Sequence, residues 1–329
     1  MRDAKIIGTG IYVPERTLTN ADLSEMLGQD IDEFVTNVVG IRERHIAAGD
    51  ESSADLAANA ARAALDNAGI DPAEIDLILL ATDTPEFISP ATSVVVQERI
   101  GARNAGTFDV NCACAGFVTT LDAAYKYMIA DDSYNNVLVI GCYAMSKFID
   151  WHDKKTSTLF ADGAGAFVMQ AVDGEQHFLA SRLFADGSYN GYMGIFAGGT
   201  RTPISEEVLS AGDLNRLRFI RKYPPEVNIN GWPKIVDEVL AKAGLSRSDV
   251  DVFLWTQVNL STIKIVMDQM EIPWDKTHTI MDKWGYTGSA CIPMVFHDAI
   301  AAGKIRRGDR VVMCASGGGL NMACLAMKY

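Results

Sequence analysis

One structural pattern occurs twice in the sequence, and this duplication limits how the chain can fold more than any other feature. The two copies begin at Ala68 and Ala243, which are 175 residues apart. Each copy passes from a helical stretch through a glycine and a short loop into an apolar run. The helical stretches are residues 54–67 and 235–242, and the apolar runs are residues 77–80 and 252–255. A glycine that ends a helix, followed by a short apolar run, is typical of a helix leading into a buried strand.

A second pair of apolar runs, Asn136–Gly141 and Asp309–Cys314, supports the duplication because it follows the first pair in the same order. Since strands alternate with helices in both copies, we expect a layered α/β fold with covered sheets. The sequence predicts an N-terminal half at residues 1–175, a loop-rich connector at residues 176–232 and a C-terminal half at residues 233–329.

The small residues of the stretch Ala161–Ala166 predict tight packing between layers. The stretch is not a phosphate-binding loop, because no Lys-Ser or Lys-Thr pair follows it. We therefore interpret its glycines as packing positions.

Composition excludes several classes of protein. Of the 329 residues, 48% are hydrophobic and 22% charged, which is typical of a folded protein. A net charge of −13 argues against nucleic acid and against anionic membrane surfaces as partners. We expect no secretory signal and no membrane span, because no apolar stretch approaches about 18 residues. The six cysteines lie mostly in apolar surroundings, so we expect free thiols and a cytoplasmic protein.

A strand followed by a tight turn and a helix places Cys114 at a candidate catalytic position. The apolar run that begins at Phe108 leads into the turn, and a helix is predicted from about Ala115 to Tyr127. A cysteine at a helix N-terminus is expected to have a lowered pKa, since the helix dipole favours the thiolate. A buried structural cysteine is the alternative. A metal site at Cys112 and Cys114 is disfavoured because no second ligand pair lies at zinc spacing, so we expect no metal.

Several blocks then identify a family by resemblance. They are Lys5–Gly10, Val13–Glu15, Thr19–Leu23, Gly40–Ala47, Cys114–Phe117, Asp162–Ala166, Ala185–Tyr189 and Gly317–Gly319. With these blocks the chain resembles the ketoacyl synthase III branch of the thiolase superfamily over nearly its whole length. The resemblance implies a pseudo-duplicated α-β-α-β-α fold and a homodimer. It also implies that Cys114 accepts an acyl group from coenzyme A, with the backbone N–H groups of Cys114 and Gly318 as oxyanion hole.

Two of the three catalytic positions differ from this family. The family's His-Gln-Ala-Asn motif reads Thr256-Gln257-Val258-Asn259 here, and the Asn of its second motif is replaced by Tyr286. Acyl loading needs a thiolate and backbone donors, which the substitutions leave in place. Decarboxylation of a malonyl thioester builds an enolate that the missing side chains normally stabilise, and losing one such donor costs about 10²–10³ in rate. His152 is a candidate replacement, although a surface-loop histidine is the simpler interpretation.

The substrate-binding positions of the family also change. The resemblance places Phe34 and Lys154 at the adenine end of coenzyme A, with Val38 in place of an Arg. It places Phe87 and Ile88 where the partner subunit closes the acyl tunnel, and Asn259 in the active site. The helix that normally offers cations to an acyl carrier protein offers Ser261, Asp268 and Gln269. We therefore expect an acyl-CoA substrate, no bound cofactor and a weakened carrier-docking face.

Three functions follow from these expectations. The first is a cysteine-dependent acyltransferase that passes its acyl group to a C, O or N nucleophile in a specialised lipid or polyketide-type pathway. The second is an active decarboxylating 3-oxoacyl synthase that condenses acyl-CoA with a malonyl thioester. The third is a non-catalytic partner subunit or acyl-binding scaffold.

Overall fold

Two mixed β-sheets, one for each copy of the repeat, form the frame of the protein. The computed structural model describes residues 2–212 and 214–329. The strands are β1 (Arg2–Tyr12), β2 (Arg16–Thr19), β3 (Glu43–Ile46), β4 (Leu77–Ala81), β5 (Gly106–Val110), β6 (Asn136–Ala144), β7 (Asp162–Asp173), β8 (Phe178–Ala185), β9 (Met193–Gly194), β10 (Arg218–Phe219), β11 (Val252–Trp255), β12 (Arg310–Gly317) and β13 (Asn321–Lys328). The helices are α1 (Asn20–Leu27), α2 (Asp32–Phe34), α3 (Ser53–Ala68), α4 (Thr92–Ile100), α5 (Gly116–Ala130), α6 (Lys154–Ser157), α7 (Glu206–Ala211), α8 (Glu226–Ala243), α9 (Leu260–Gln269), α10 (Met281–Trp284) and α11 (Cys291–Ala301).

The order of the strands confirms the internal duplication. The first sheet has the order β1-β7-β6-β4-β5 and the second has the order β11-β12-β13-β8. In the first sheet β4 runs parallel to β6, and β7 lies antiparallel between β6 and β1. In the second sheet β11 runs parallel to β12, and β13 lies antiparallel between β12 and β8. The two sheets therefore share one connectivity, with β5 added at the edge of the first.

The glycines at the start of the repeat end their helices as the sequence predicts. Gly69 ends α3 with φ 67°, and Gly244 ends α8 with φ 69°. A residue with a Cβ is strained in this left-handed region, which explains why both copies use glycine there. The strands β4 and β11 begin eight residues later in both copies and are buried throughout.

Five layers result from the way the helices cover the sheets. The helix α3 packs on the outer face of the first sheet, and α8 packs on the outer face of the second. The helices α5 and α11 lie between the sheets, where α5 contacts strands of both. This arrangement confirms the predicted α/β class with its α-β-α-β-α layers. Within the described residues no helix has both the length and the apolar character that a membrane crossing requires.

Two parts of the predicted loop-rich connector are regular secondary structure, one a strand and the other a helix. Residues 178–185 form β8, which pairs with β13 and so belongs to the second sheet. At the other end α8 already begins at Glu226 and includes Pro233. The sequence predicted a helix only from residue 235, because a proline usually marks a helix boundary. This predicted start was wrong. Here the buried Trp232 and Ile235 on either side of Pro233 keep the helix packed against the second sheet.

The glycines of β7 are packing positions, as predicted. A Cβ on Gly165 would lie 2.7 Å from Cβ of Pro293, and one on Gly163 would lie 3.0 Å from the Met294 side chain. Both neighbours belong to α11, so the absence of side chains allows this central helix to lie directly on the sheet.

We predict that Gly165→Ala destabilises the protein by about 1–3 kcal/mol, because the added methyl group overpacks the contact between β7 and α11. Urea unfolding at one fixed protein concentration measures the effect. The matched control is Gly49→Ala, at an exposed glycine whose added Cβ would meet no atom within 4 Å. Equal unfolding midpoints for the two variants would contradict this account of the layer packing.

Candidate active site

Cys114 lies in a sharp turn between a strand and a central helix. After β5 ends at Val110, the short helical turn Ala113–Ala115 continues directly into α5. Ala113 has φ 47°, a left-handed conformation that is uncommon for a residue other than glycine. The turn leaves Cys114 only 4% exposed, at the N-terminal end of α5.

The glycine loop at the end of β12 packs directly against this turn. A Cβ on Gly317 would lie 2.6 Å from the Cys112 carbonyl oxygen and 2.6 Å from the Cys114 backbone nitrogen. Only a glycine permits so close an approach between the two halves of the chain. The next residue, Gly318, makes no hydrogen bond through its N–H within residues 2–212 and 214–329, so that N–H is available to an oxygen beside Cys114.

A cavity of about 380 Å³ opens beside Cys114. Of the residues predicted for the site, it brings together Cys114, Tyr286, Asn259 and Gly318. Asn259 also begins α9, where its side-chain oxygen accepts a hydrogen bond from the Thr262 N–H at 3.0 Å.

Thr256 is not part of the cavity wall. It is buried, and its hydroxyl oxygen accepts a hydrogen bond from the Ser316 N–H at 2.9 Å. The short threonine side chain ends at the backbone of the neighbouring strand β12, and Ser316 lines the cavity in front of it. The Thr256 hydroxyl oxygen therefore lies at the Ser316 backbone rather than in the cavity wall.

Tyr286 contacts the nucleophile directly. Its backbone is held beside Leu159 and Ala161 by two hydrogen bonds of 3.0 and 2.9 Å, and its ring lies 5.4 Å from that of Phe160. The phenol hydroxyl lies beside the sulfur of Cys114, and each group shifts the pKa of the other. Burial raises the pKa of Tyr286 well above its ordinary value, as do the nearby thiols, so the phenol stays neutral and keeps its proton for donation.

The Cys114 thiol has a raised pKa, contrary to the lowering expected from its place at a helix N-terminus. Burial is the largest cause, and the charge of Asp83 acts in the same direction. The hydrogen bond with Tyr286 opposes both by favouring the thiolate. Desolvation outweighs the helix dipole because the sulfur is buried away from water. Cys114 therefore carries a neutral thiol near neutral pH.

Two polar residues of the site were missed by the sequence analysis. Ser316 and Asn228 both line the cavity, and the Ser316 hydroxyl donates a hydrogen bond to the Asn228 side-chain oxygen at 2.9 Å. This bond orients the Asn228 amide group, whose nitrogen makes no hydrogen bond in the described part of the chain. Ser316 adjoins the glycine loop and could have been noticed there. Asn228 lies inside α8, in the segment that the sequence assigned to a connector.

The other predicted positions lie outside the cavity. Phe34 and Lys154 line a separate groove of about 370 Å³ and so come together as expected for one binding region. Phe87 and Ile88 are 52% and 83% exposed on the protomer. His152 is exposed on a surface loop and does not line the cavity, so the simpler interpretation of this residue holds.

Comparisons with known proteins agree with this fold and site. The model of 3-oxoacyl-[acyl-carrier-protein (ACP)] synthase III matches residues 108–187, and the model of its C-terminal part matches residues 240–329. Beta-ketoacyl-[acyl-carrier-protein] synthase III of Aquifex aeolicus is 37% identical over 325 residues, covering 99% of both chains. The crystal structure of the corresponding synthase from the same organism has a TM-score of 0.89 and 35% identity, covering 99% of this chain and 100% of the other.

A priming beta-ketosynthase of a polyketide biosynthetic pathway has a TM-score of 0.90 and 29% identity, covering 99% of this chain and 96% of the other. The fold is thus thiolase-like, and proteins of this class transfer acyl groups. The chain belongs to the family of 3-oxoacyl-[acyl-carrier-protein] synthase III.

We predict that alkylation of Cys114 by iodoacetamide accelerates about tenfold per pH unit from about pH 7 to 9, because the thiolate fraction rises in that proportion below a raised pKa. Mass spectrometry of the Cys114 peptide measures the rate. Tyr286→Phe should slow the reaction at every pH, since the hydrogen bond that favours the thiolate is lost. A rate that levels off below about pH 8 would contradict the raised pKa.

Proposed function

We propose that the chain uses Cys114 to take an acyl group from an acyl-CoA and passes it to a carbon, oxygen or nitrogen nucleophile in a specialised lipid or polyketide-type pathway. The observation that carries this proposal is the position of Cys114, at the head of α5 beside an open cavity that the neutral phenol of Tyr286 also lines. In loading, a bond forms between the sulfur and the acyl carbon while the bond from that carbon to the CoA sulfur breaks. The thiol proton leaves with the CoA thiolate, so the step balances without an added base.

Backbone donors support the loading step. When the sulfur attacks, negative charge develops on the thioester oxygen, and stabilisation by a fixed N–H lowers the barrier. The unused N–H of Gly318 borders the same cavity as Cys114, and the close packing of Gly317 on the nucleophile turn holds the loop in place. We assign the oxyanion hole to the N–H groups of Cys114 and Gly318.

The coenzyme A moiety is assigned to the groove and to the mouth of the cavity. Phe34 offers a ring and Lys154 a cation in the groove, while Lys222 offers a cation in the cavity. Thr158 lines the groove and Phe160 lines the cavity only two residues further on, so one extended ligand can occupy both. Lysines suit the phosphates of coenzyme A as point charges.

The choice of acceptor follows from the side chains that face Cys114. Among the described residues that line the cavity there is no His, Asp or Glu, and Lys222 is the charged side chain. Tyr286, Tyr223, Asn228 and Ser316 supply neutral hydrogen-bonding groups instead. A site without a base near neutrality suits an acceptor that is already nucleophilic better than one that must be decarboxylated first.

A decarboxylating 3-oxoacyl synthase is the second candidate, and one observation favours it. Asn228 and Tyr286 both line the cavity beside Cys114, and the Ser316 hydroxyl orients the Asn228 amide by donating a hydrogen bond to its oxygen. Two fixed neutral donors of this kind can stabilise an enolate oxygen as the lost His and Asn would. A non-catalytic scaffold, the third candidate, gives no reason for a Cys114 that lines a cavity beside the phenol of Tyr286.

The assembly and the carrier interaction are also proposals. The exposed Phe87 and Ile88 are apolar side chains that a second copy of the chain would cover in a homodimer. On the face of α9, Asp268 and Gln269 are exposed together with Lys264. A single cation beside an acidic residue supports a weakened docking site for an acidic acyl carrier protein.

We predict that Cys114→Ala abolishes acyl loading, because the thioester then has no nucleophile. Incubation with a panel of acyl-CoA thioesters, followed by intact-protein mass spectrometry, measures the added acyl mass. The matched control is Cys112→Ala, two residues away and outside the cavity, which should still be loaded. Loading that disappears in the folded Cys112→Ala protein, or that persists in Cys114→Ala, would refute the assignment of the nucleophile.

We also predict that the wild-type protein releases little carbon dioxide from a malonyl thioester, and that Thr256→His combined with Tyr286→Asn increases the release. The substitutions restore the two side-chain donors whose loss costs about 10³ or more in rate. Release of labelled carbon dioxide measures the activity. A wild-type turnover of about 1 per second or faster would favour the second candidate function, in which case Asn228→Leu should reduce it about 10²–10³-fold.

A further inference from the structure

An acidic residue, Asp83, lies close to Cys114 and lines a separate cavity beside the catalytic one. Asp83 follows the carboxyl end of β4, just as the Cys114 turn follows β5 and Met145 follows β6. These three strands run parallel, so the residues after them meet at one edge of the sheet. The carboxyl ends of parallel strands are where α/β proteins place their ligands.

Asp83 lines a cavity of about 220 Å³ that adjoins the catalytic one. Its wall also includes Asn111, Ala113, Tyr143 and Leu217, and Ala113 is the residue before the nucleophile. Met193 and Gly318 line both cavities, so the two cavities lie on either side of the glycine loop. The second cavity therefore lies directly beside the turn that carries Cys114. The cavity is smaller than the roughly 300–1,000 Å³ of most small-molecule sites, which suits a short chain.

The carboxyl group in this small cavity lacks a partner. Its oxygen Oδ1 is buried and accepts no hydrogen bond within residues 2–212 and 214–329. Burial raises the pKa of Asp83 to about 6, and the opposing influence is its own backbone N–H rather than a lysine or arginine. The carboxyl therefore releases its proton less readily than an exposed aspartic acid does. A buried polar oxygen without a donor costs free energy, and an ionised one costs more.

The Asp83 carboxylate does not serve to activate the nucleophile. Its negative charge raises the pKa of Cys114 and that of Tyr143, so it opposes formation of the thiolate. A group that impairs the resting nucleophile and lacks a partner within the chain is explained if a ligand supplies the missing donor.

We propose that the Asp83 cavity selects a short acyl group that carries a hydrogen-bond donor, an ammonium or a hydroxyl, which the Asp83 carboxyl group accepts. This inference deepens the proposed function and rests on it, because the acyl group must be attached to Cys114. An unsubstituted alkyl chain would cover the Asp83 carboxyl group without donating a hydrogen bond to it. An amino- or hydroxyacyl chain of the same length would supply that donor.

The experiment compares 3-hydroxybutyryl-CoA and 3-aminobutyryl-CoA, each as both enantiomers, with butyryl-CoA of the same chain length. The rate of acyl loading on Cys114 is measured by intact-protein mass spectrometry. We expect at least one donor-bearing thioester to load about 10- to 100-fold faster than butyryl-CoA, the range set by a hydrogen bond to a charged group. Butyryl-CoA that loads as fast as or faster than all four donor-bearing thioesters overturns the proposal.

Two variants test the role of Asp83 in this preference. Asp83→Leu should bring the ratio of donor-bearing to butyryl loading to about one or below. Asp83→Asn keeps the shape and an acceptor oxygen but removes the charge, so it should reduce the preference for the amino compound more than that for the hydroxy compound. A wild-type preference that both variants retain in full would assign the selection to other residues and overturn the role of Asp83.

A final measurement separates this inference from the proposed function. If no thioester loads on Cys114, the proposed function fails, and calorimetric binding of the same thioesters to Cys114→Ala then tests the cavity alone. Tighter binding of a donor-bearing thioester, reduced by adding Asp83→Asn, would support the role of Asp83 in binding. Equal binding of all the thioesters would refute it.

Discussion

The contact of Gly317 with the Cys112–Cys114 turn is the constraint on which the active site depends. It joins the end of β12, in the second sheet, to the turn after β5, in the first, with no room for even one methyl group. Through this contact the two copies of the repeat are held so that strand ends of both sheets meet at one sulfur. The Gly318 N–H and the Ser316 hydroxyl come from the second copy, while Cys114 and Asp83 come from the first. The site consequently cannot form in either half alone.

Around the sulfur, neutral hydrogen-bond donors replace the ionisable base that the resemblance implies. Tyr286 replaces the asparagine of the family motif and lies beside the Cys114 sulfur. The Thr256 hydroxyl oxygen accepts a hydrogen bond from the Ser316 backbone N–H. Asn228, which belongs to α8, lines the cavity, and a hydrogen bond from the Ser316 hydroxyl orients its side chain. These changes keep the capacity to stabilise an oxyanion but remove a residue that could exchange a proton near pH 7. These changes favour the proposed acyl transfer over a reaction that needs a base near pH 7.

Much of the fold could be predicted because the repeat has strong local signals. Gly69 and Gly244 end helices for a conformational reason that is visible in the sequence, and the apolar runs after them are buried strands. The placement of Cys114 in a turn between a strand and a helix was also predictable from the sequence. The roles of Thr256 and Asn228 were not, because they depend on which side chain reaches across between α8, β11 and β12. The pKa of Cys114 was predicted in the wrong direction, since a sequence shows the helix terminus but not the degree of burial.

The two cavities on either side of Gly318 differ in charge, and this difference bears on when the nucleophile becomes reactive. On the catalytic side the Tyr286 hydroxyl favours the thiolate, and on the other side the Asp83 carboxylate and burial oppose it. An ammonium group bound to Asp83 would offset the negative charge that reaches Cys114, so the pKa of the thiol would fall when such a substrate enters. A hydroxyl group would satisfy the carboxylate but leave its charge. The substrate's own charge would then contribute to activation, and the thiol would stay neutral in the empty enzyme.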